Sequence, residues 1–331
     1  MKNSPVFPFD RAETEGEFDR GKMFTPDREL KEKIKEYARR CGFAACGITA
    51  ADGFPEYPAA LDRLVKEFPE TEKLYSPMYG RAGLKERFPW ARSIIVCVRS
   101  YGKYKIPQEA KGHIGRNYLF DCRVPENPDY RMVKDFSQWL KDAGMKVRKG
   151  GVPDRLAAQR AGVASIGKNN FAYAAGFGSW INVVTWTVDA EIEPDRPSEG
   201  SPCPPGCRKC IEACPAGALV RPYTMRMDRC IAYLTYQAPL PLDGQLEKKM
   251  GGWVYGCDAC QEACPLNNGA WKEKESLPYL EKISCLLTPQ ALSVMDEKTY
   301  REIVHPLFYY IPEEDIERWH ANAKRALRNS S

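Results

Sequence analysis

A ten-residue cysteine motif occurs twice in this chain of 331 residues, at positions 206–215 and 256–265. Both copies read Gly-Cys-x-x-Cys-x-Glu-Ala-Cys-Pro, and two lone cysteines, Cys203 and Cys230, complete a set of eight. Eight thiolates make two groups of four, which is the ligand requirement of two [4Fe–4S] clusters. The repeat therefore constrains this region to a fold that encloses two clusters, and it predicts one-electron chemistry.

The spacing also predicts which cysteine binds which cluster. In two-cluster ferredoxins, the cysteine that precedes proline ligates the cluster opposite to that of its own motif. The first cysteine set is therefore predicted to be Cys203, Cys207, Cys210 and Cys264. The second cysteine set is predicted to be Cys214, Cys230, Cys257 and Cys260. Three residues, instead of the usual two, separate Cys203 from Cys207, so the chain either bulges beside Pro204 or leaves Cys203 a weak ligand.

Two other uses of these cysteines are disfavoured. Zinc sites favour paired Cys-x-x-Cys knuckles and do not require the Cys-Pro element. Disulfides need an oxidising compartment, which nothing in the sequence indicates. Of the remaining cysteines, Cys97 lies in an apolar strand pattern, while Cys41 and Cys46 flank a helix end, so all three are predicted to be structural. The roles of Cys122 and Cys285 stay open.

Composition excludes a membrane-spanning protein. Hydrophobic residues make up 43% of the chain, and no apolar run approaches the roughly 20 residues that cross a bilayer. Residues 1–22 are polar and lack the apolar core of a secretion signal. We therefore expect a cytoplasmic protein with no membrane partner. The net charge of +5 permits contact with RNA without arguing for it.

The order of apolar patterns predicts helices alternating with strands, which is typical of an α/β layer structure. A helix is expected to open at Thr25-Pro26 and end at Gly42. A second is expected to cover residues 129–143, with Val133, Phe136 and Leu140 facing inward. Strands are expected at residues 44–48, 93–98 and 181–188, the second of them central in a sheet. The tail is expected to be helical, with a cap at Thr288 and a packing stripe of Ile316, Trp319, Ala323 and Leu327.

Four regions follow from these patterns and from the Pro-, Ser- and Gly-rich boundary at residues 194–205. They are an N-terminal arm (1–27), an α/β domain (28–198), a double-cluster domain (199–270) and a helical C-terminal extension (271–331).

Several longer stretches carry a family resemblance. They are residues 161–169, Gly178-Ser179-Trp180, residues 229–235 and residues 250–261. In combination they resemble the epoxyqueuosine reductases, which are cytoplasmic, cobalamin-dependent enzymes with two cubane clusters that are related to the reductive dehalogenases. The resemblance spans about residues 28–330.

This resemblance implies a nitroreductase-like or dehalogenase-like cobalamin-binding α/β domain, then a bacterial ferredoxin-like domain with two clusters, then the helical extension. The implied corrinoid lies between the domains and contacts Asn169, Gly178, Ser179 and Trp180. Its cobalt is expected to lack a histidine ligand, because the chain has three histidines and no Asp-x-His-x-x-Gly motif. The implied partners are an external electron donor such as ferredoxin or flavodoxin, and either tRNA or a corrinoid protein.

The proton donor departs from the family pattern. The family has an aspartate in Gly-Arg-Asp-Tyr-His, whereas residues 115–119 here read Gly-Arg-Asn-Tyr-Leu, so Asn117 replaces the acid. An amide does not titrate and cannot serve as an acid. One alternative is Asp129, which is otherwise expected to cap a helix. Another is Tyr118, whose pKa a neighbouring Lys168 would lower.

The sequence leaves three functions open. The first is a cobalamin-dependent reductase of the epoxyqueuosine type, with its native substrate in doubt because of Asn117. The second is a dehalogenase-like reductase that uses Tyr118 and Lys168. The third is an electron-transfer protein that reductively activates the corrinoid of another protein.

Overall fold

The computed structural model describes residues 27–330. The predicted N-terminal arm and its Thr25-Pro26 helix start therefore lie almost wholly outside the described residues. The first helix, α1, runs over Arg28–Cys41, and the Asp27 side chain caps it by accepting a hydrogen bond from the Leu30 amide at 2.8 Å. The helix ends at Gly42, as the sequence predicts. The φ of Gly42 is 102°, a left-handed conformation that is common at helix C-termini.

The remaining α-helices and strands are numbered in chain order. The other helices are α2 Glu56–Glu67, α3 Glu72–Tyr79, α4 Leu84–Arg87, α5 Arg116–Leu119, α6 Pro128–Asp142, α7 Asp154–Arg160, α8 Lys209–Glu212, α9 Ile231–Tyr236, α10 Gly244–Lys249, α11 Ala259–Glu262, α12 Pro278–Ile283, α13 Pro289–Leu292, α14 Glu297–Thr299 and α15 Ile316–Ser330. The strands are β1 Ala45–Ala50, β2 Ser93–Ser100, β3 Val147–Lys149, β4 Ser165–Ile166, β5 Ala172–Tyr173, β6 Ile181–Val188, β7 Leu219–Arg221 and β8 Thr224–Met225.

Within residues 27–330, four strands form the main sheet in the order β1-β2-β6-β3. Strand β2 lies between β1 and β6, which confirms the central strand predicted from its apolar run. Each pairing in this sheet is antiparallel. Because side chains alternate along a strand, Ile95 points to one face of β2 while Ile94 and Val96 point to the other, and all three are buried.

Helices cover both faces of this sheet. Helices α1 and α6 pack on one face, where Phe136 of α6 meets the Trp186 ring of β6 at 4.7 Å between centroids. Val133 and Leu140 of the same helix are also buried, which confirms the predicted inward stripe. Helix α7 packs on the opposite face through Ala157 and Ala158. The layered arrangement of helices on a sheet is therefore confirmed.

The C-terminal helices belong to a third core. Trp319 of α15 stacks on Tyr255 with ring centroids 4.9 Å apart, and the same cluster includes Tyr101 and Trp180 from the sheet region. Thr288 caps α13 by accepting from the Ala291 amide, as predicted. The tail thereby joins the sheet region to the cysteine-rich region. No helix among residues 27–330 has the length and apolar character needed to cross a membrane.

Candidate functional site

The fold brings the cysteines together in the two predicted sets. Burial and the nearby thiols of the first set raise the pKa of Cys210, and Cys264 from the second motif is among these neighbours. Burial likewise raises the pKa of Cys260, whose other neighbours include Cys214 from the first motif. Each set thus receives one cysteine from the other motif, and the two motifs interlock. Within residues 27–330, no three His, Cys, Asp or Glu side chains are grouped as ligands of a single metal ion.

A hairpin from the α/β region lies against the first cysteine set. We call residues 165–173 the cluster hairpin, in which β4 pairs with β5. The Lys168 amide donates to Cys203 Sγ at 3.3 Å, and the Tyr173 hydroxyl donates to Cys264 Sγ at 3.2 Å. Hydrogen bonds to ligand sulfurs are one means by which proteins set the potential of iron–sulfur centres.

Helix α5 lies against the second cysteine motif. The Arg116 amide donates to Asp258 Oδ2 at 2.9 Å, and its guanidinium donates to Glu262 Oε1 at 2.7 Å. The same guanidinium lies 4.5 Å from the ring centre of Trp180 and 4.9 Å from that of Trp271, in cation–π contact. Burial raises the pKa of Asp258 to about 7, although the Arg116 amide and guanidinium oppose the shift. These contacts hold the α5 segment on the side of the second set.

Asn117, which replaces the family acid, is fixed by a polar network. Its Oδ1 accepts a hydrogen bond from Asn182 Nδ2 at 2.7 Å, and Asn182 Oδ1 accepts one from Arg99 Nη1 at 2.6 Å. Arg99 Nε in turn donates to Asp129 Oδ2 at 2.6 Å. The structure therefore connects Asn117, at the family's acid position, with the candidate donor Asp129 through residues that the sequence did not single out.

The predicted capping role of Asp129 is wrong. Asn127 caps α6 instead, because its side chain accepts from the Asp129 amide at 2.9 Å. The Asp129 carboxylate pairs with Arg99 and, at 3.4 Å, with Lys103. Burial raises the pKa of this carboxyl, but the two cations outweigh burial and hold the pKa below its ordinary value. Asp129 is therefore ionised at neutral pH and is a poor proton donor there.

The structure does not bring Tyr118 and Lys168 together. The Tyr118 ring meets those of Tyr236, Tyr255 and Tyr310, with centroids 5.0–6.0 Å apart. Burial raises the pKa of Tyr118 well above its ordinary value, and the neighbouring tyrosines raise it further. The predicted lowering of this pKa by a lysine is therefore wrong. The Lys168 ammonium instead donates to the Cys207 carbonyl at 2.9 Å.

The four residues assigned to a corrinoid lie in the junction between the sheet and the cysteine region. Asn169, Ser179 and Trp180 are only 2%, 1% and 2% exposed, and Gly178 is buried with them. Their partners belong to the protein. The Ser179 amide donates to Asn267 Oδ1 at 2.7 Å, Gln261 donates to Ser179 Oγ at 2.9 Å, and Asn169 donates to the Tyr173 hydroxyl at 3.0 Å.

Gly178 allows the closest approach in this junction. A Cβ atom at Gly178 would lie 2.2 Å from Asn267 Oδ1, at a φ of 57°. We expect Gly178→Ala to lower the free energy of unfolding by about 2–4 kcal/mol, combining overpacking with left-handed strain. Gly176→Ala is the matched control, because its φ is 76° but nothing lies within 4 Å of its added Cβ, and it should cost about 1 kcal/mol. Equal losses in chemical denaturation would contradict a tight junction at Gly178.

Comparison with known proteins identifies the family. Residues 203–267 match the model of the 4Fe-4S double cluster binding domain. The epoxyqueuosine reductase of Bacillus cereus is 31% identical over 296 residues, which cover 83% of this chain and 74% of that protein. The chain belongs to the epoxyqueuosine reductase family. The Bacillus subtilis member is 32% identical, and the aligned region spans 64% of its length and 73% of this chain.

Solved structures of the epoxyqueuosine reductase family agree with this assignment. A crystal structure of epoxyqueuosine reductase with an epoxyqueuosine-modified tRNA stem loop matches with a TM-score of 0.75 at 27% identity, covering 91% of this chain and 81% of that one. The Bacillus subtilis enzyme, solved with its catalytic aspartate loop swung out of the active site, matches with a TM-score of 0.74 at 26% identity. It covers 91% of this chain and 82% of the other.

Sequence reasoning missed the residues that connect the regions. Arg99 and Asn182 lie in strand patterns that give no sign of a polar network, and Tyr173 lies in a short hairpin outside the cysteine motifs. The position of Gln261 inside the second motif, between Cys260 and Glu262, was the available signal. Its burial, which makes the amide need partners, is visible only in the structure.

Proposed function

We propose that this chain is a two-cluster iron–sulfur reductase of the epoxyqueuosine reductase family whose substrate end differs from that of its relatives. The first cysteine set would bind one [4Fe–4S] cluster and the second set the other. The single observation that carries this proposal is the interlocking of the two sets, each completed by a cysteine from the opposite motif. This donor set fits cubane clusters, which supply one-electron transfer when bound.

The chain's own residues give this region two distinct sides. The loop that carries Cys203 and Cys207 is bordered by exposed residues, among them Gly206, Arg208 and Lys209. We propose this side as the place where an external electron donor, such as a ferredoxin or flavodoxin, binds. On the other side, α5 covers the second motif and places Asn117 nearby. We propose this covered side as the substrate end.

A corrinoid does not fit the residues assigned to it in this arrangement. The polar groups of Asn169 and Ser179 form hydrogen bonds within the protein. Asn267 occupies the space beside Gly178. One cavity that borders Trp180 has a volume of about 300 Å³. Cavities of roughly 300–1,000 Å³ suit drug-sized ligands, and a corrinoid is larger than these. No step of the proposed function therefore involves a corrinoid held by this chain.

Transfer RNA is the proposed substrate class to test first, because one structural relative was solved with an epoxyqueuosine-modified stem loop. The exposed face of α6 carries Arg131, Lys134 and Lys141, which could meet phosphates, although Asp135 and Asp142 lie among them. The fixed amide of Asn117 supplies no proton, so reduction of epoxyqueuosine itself should be slow. We propose the cytoplasm as its location.

A second candidate function is electron transfer to a corrinoid that another protein holds. The observation that favours it is the combination of buried corrinoid-assigned residues with an amide at the family's acid position. In this case the chain would need no proton donor of its own. The two candidates share the clusters and differ only in the acceptor.

Anaerobic purification tests both the clusters and the acceptor. We expect about eight irons and eight sulfides per chain, as two cubanes require, with a broad absorbance that bleaches on reduction. When cobalamin is added to the protein, the absorbance should equal the sum of the spectra of the protein and of free cobalamin. The reason is that the residues assigned to cobalamin already form hydrogen bonds within the protein. Iron-free or zinc-loaded protein would refute the cluster assignment, and tight cobalamin binding would refute the stated misfit.

Turnover assays then separate the two candidate functions. The reduced protein is mixed in parallel with epoxyqueuosine-modified tRNA and with an oxidised corrinoid protein. Oxidation of the clusters by the tRNA, slow as Asn117 predicts but with product formed, supports the reductase. Oxidation by the corrinoid protein alone supports electron transfer.

A further inference from the structure

The cluster hairpin contacts the first cysteine set from outside the cysteine motifs. Besides the Lys168 amide on Cys203 Sγ, the Lys168 ammonium donates to the Pro204 carbonyl at 3.3 Å and to the Cys207 carbonyl at 2.9 Å. These contacts hold the segment that has one more residue than the usual Cys-x-x-Cys spacing. Lys168 therefore has a positioning role on this loop, in place of the cation role predicted for it.

Tyr173 has a defined hydrogen-bond direction. The Phe171 amide donates to Asn169 Oδ1 at 3.2 Å, which turns the Asn169 NH₂ group toward Tyr173. The Tyr173 oxygen accepts from this NH₂ group at 3.0 Å, so its own proton is left for Cys264 Sγ.

The ring of Tyr173 is held as firmly as its hydroxyl. An added Cβ at Gly167 would meet the Tyr173 ring at 2.4 Å, so glycine lets the hairpin close directly on the ring. Tyr173 is only 6% exposed, and this burial shields its hydrogen bond to the Cys264 sulfur from water. A fixed, buried donor keeps its full electrostatic effect on the sulfur, because solvent cannot screen or replace it.

We propose that Tyr173 is a tuning residue, which raises the reduction potential of the cluster bound by the first cysteine set. This inference rests on the proposed assignment of that cluster to these four cysteines. Reduction adds negative charge to a cluster and its thiolates, and a hydrogen bond to a ligand sulfur stabilises the more negative state. In the second set, the Ala259 amide donates to Cys257 Sγ at 3.4 Å. Backbone hydrogen bonds from Ala232 and Tyr233 act on Cys230 of the same set. The Tyr173 hydroxyl adds a side-chain donor to the first set, and we expect its loss to lower the potential of that cluster alone.

The test is Tyr173→Phe in the full, cluster-loaded chain, with redox titration followed by electron paramagnetic resonance. We expect the midpoint potential of one cluster to fall while that of the other stays unchanged. Tyr37→Phe is the matched control, because Tyr37 stacks on Trp139 at 4.5 Å on the α1–α6 face and should leave both potentials as they are.

Pulsed resonance in D₂O gives a second measurement, since a merely structural tyrosine would not couple to the cluster. Tyr173→Phe should remove one exchangeable deuteron coupling from the same cluster.

Unchanged potentials in a variant with both clusters present would overturn the tuning role and leave the cluster assignment intact. Loss of about four irons in Tyr173→Phe, but not in Tyr37→Phe, would also overturn it, because the hydroxyl would then hold the cluster instead of tuning it. An iron-free parent would instead refute the proposed function.

Discussion

Cys264→Ala is expected to remove the cluster of the opposite motif. Cys264 stands in the second motif but lies with Cys203, Cys207 and Cys210, so its loss should leave that set with three thiolates. We expect iron content to fall from about eight to about four per chain, and reductase or electron-transfer activity to fall below detection. Iron analysis and the resonance spectrum of the reduced protein measure both effects.

Cys214→Ala is the matched partner of this experiment, because Cys214 lies with the second set. The two variants should keep different clusters, recognised by their different midpoint potentials. Cys285→Ala is the control, since Cys285 is exposed, and it should retain all eight irons. If Cys264→Ala and Cys214→Ala each lost the cluster of their own motif, the interlocked assignment would be refuted.

Asp129→Asn is expected to destabilise the fold by about 3 kcal/mol at neutral pH. Its carboxylate pairs with Arg99 at 2.6 Å, and their side chains are only 7% and 1% exposed. The substitution keeps the shape of the side chain but leaves the buried guanidinium without a counter-charge, and breaking such a pair typically costs roughly 3–5 kcal/mol. Chemical denaturation, read as the free energy of unfolding, measures the loss.

Glu275→Gln is the control for Asp129→Asn, because Glu275 also pairs with Lys103 at 3.4 Å but its side chain is 52% exposed. Exposed pairs contribute little, so this variant should lose less than about 1 kcal/mol. Similar losses in the two variants would contradict the dependence on burial.

The Asp129–Arg99 pair also predicts how stability depends on pH. The folded-state pKa of Asp129 lies below its ordinary value of about 3.9. Its contribution is therefore fully present above about pH 4 and is lost as the pH falls through the folded pKa. Below about pH 4 the stability difference between the parent and Asp129→Asn should shrink. A difference that stays constant down to pH 2 would show that the carboxylate charge does not contribute.

Much of the cysteine site and of the sheet follows from local patterns. The repeated spacing assigns eight cysteines to two sets because short intervals restrict which thiols can converge. The apolar run at residues 94–98 located β2 at the centre of the sheet, because a central strand is covered on both faces. The inward stripe of α6 was likewise visible, because helical periodicity records which face is buried.

Tertiary structure alone decided which polar groups meet. Asp129 pairs with Arg99, thirty positions earlier in the chain, and the Lys168 ammonium binds the carbonyl of Cys207 instead of lying beside Tyr118. Gly178 fits against Asn267, which follows it in the chain only after all eight predicted cluster cysteines. Local sequence specifies the conformation and burial of a segment. Contacts between distant segments depend on how their surfaces pack, because charge, shape and hydrogen bonding must be satisfied together in one folded arrangement.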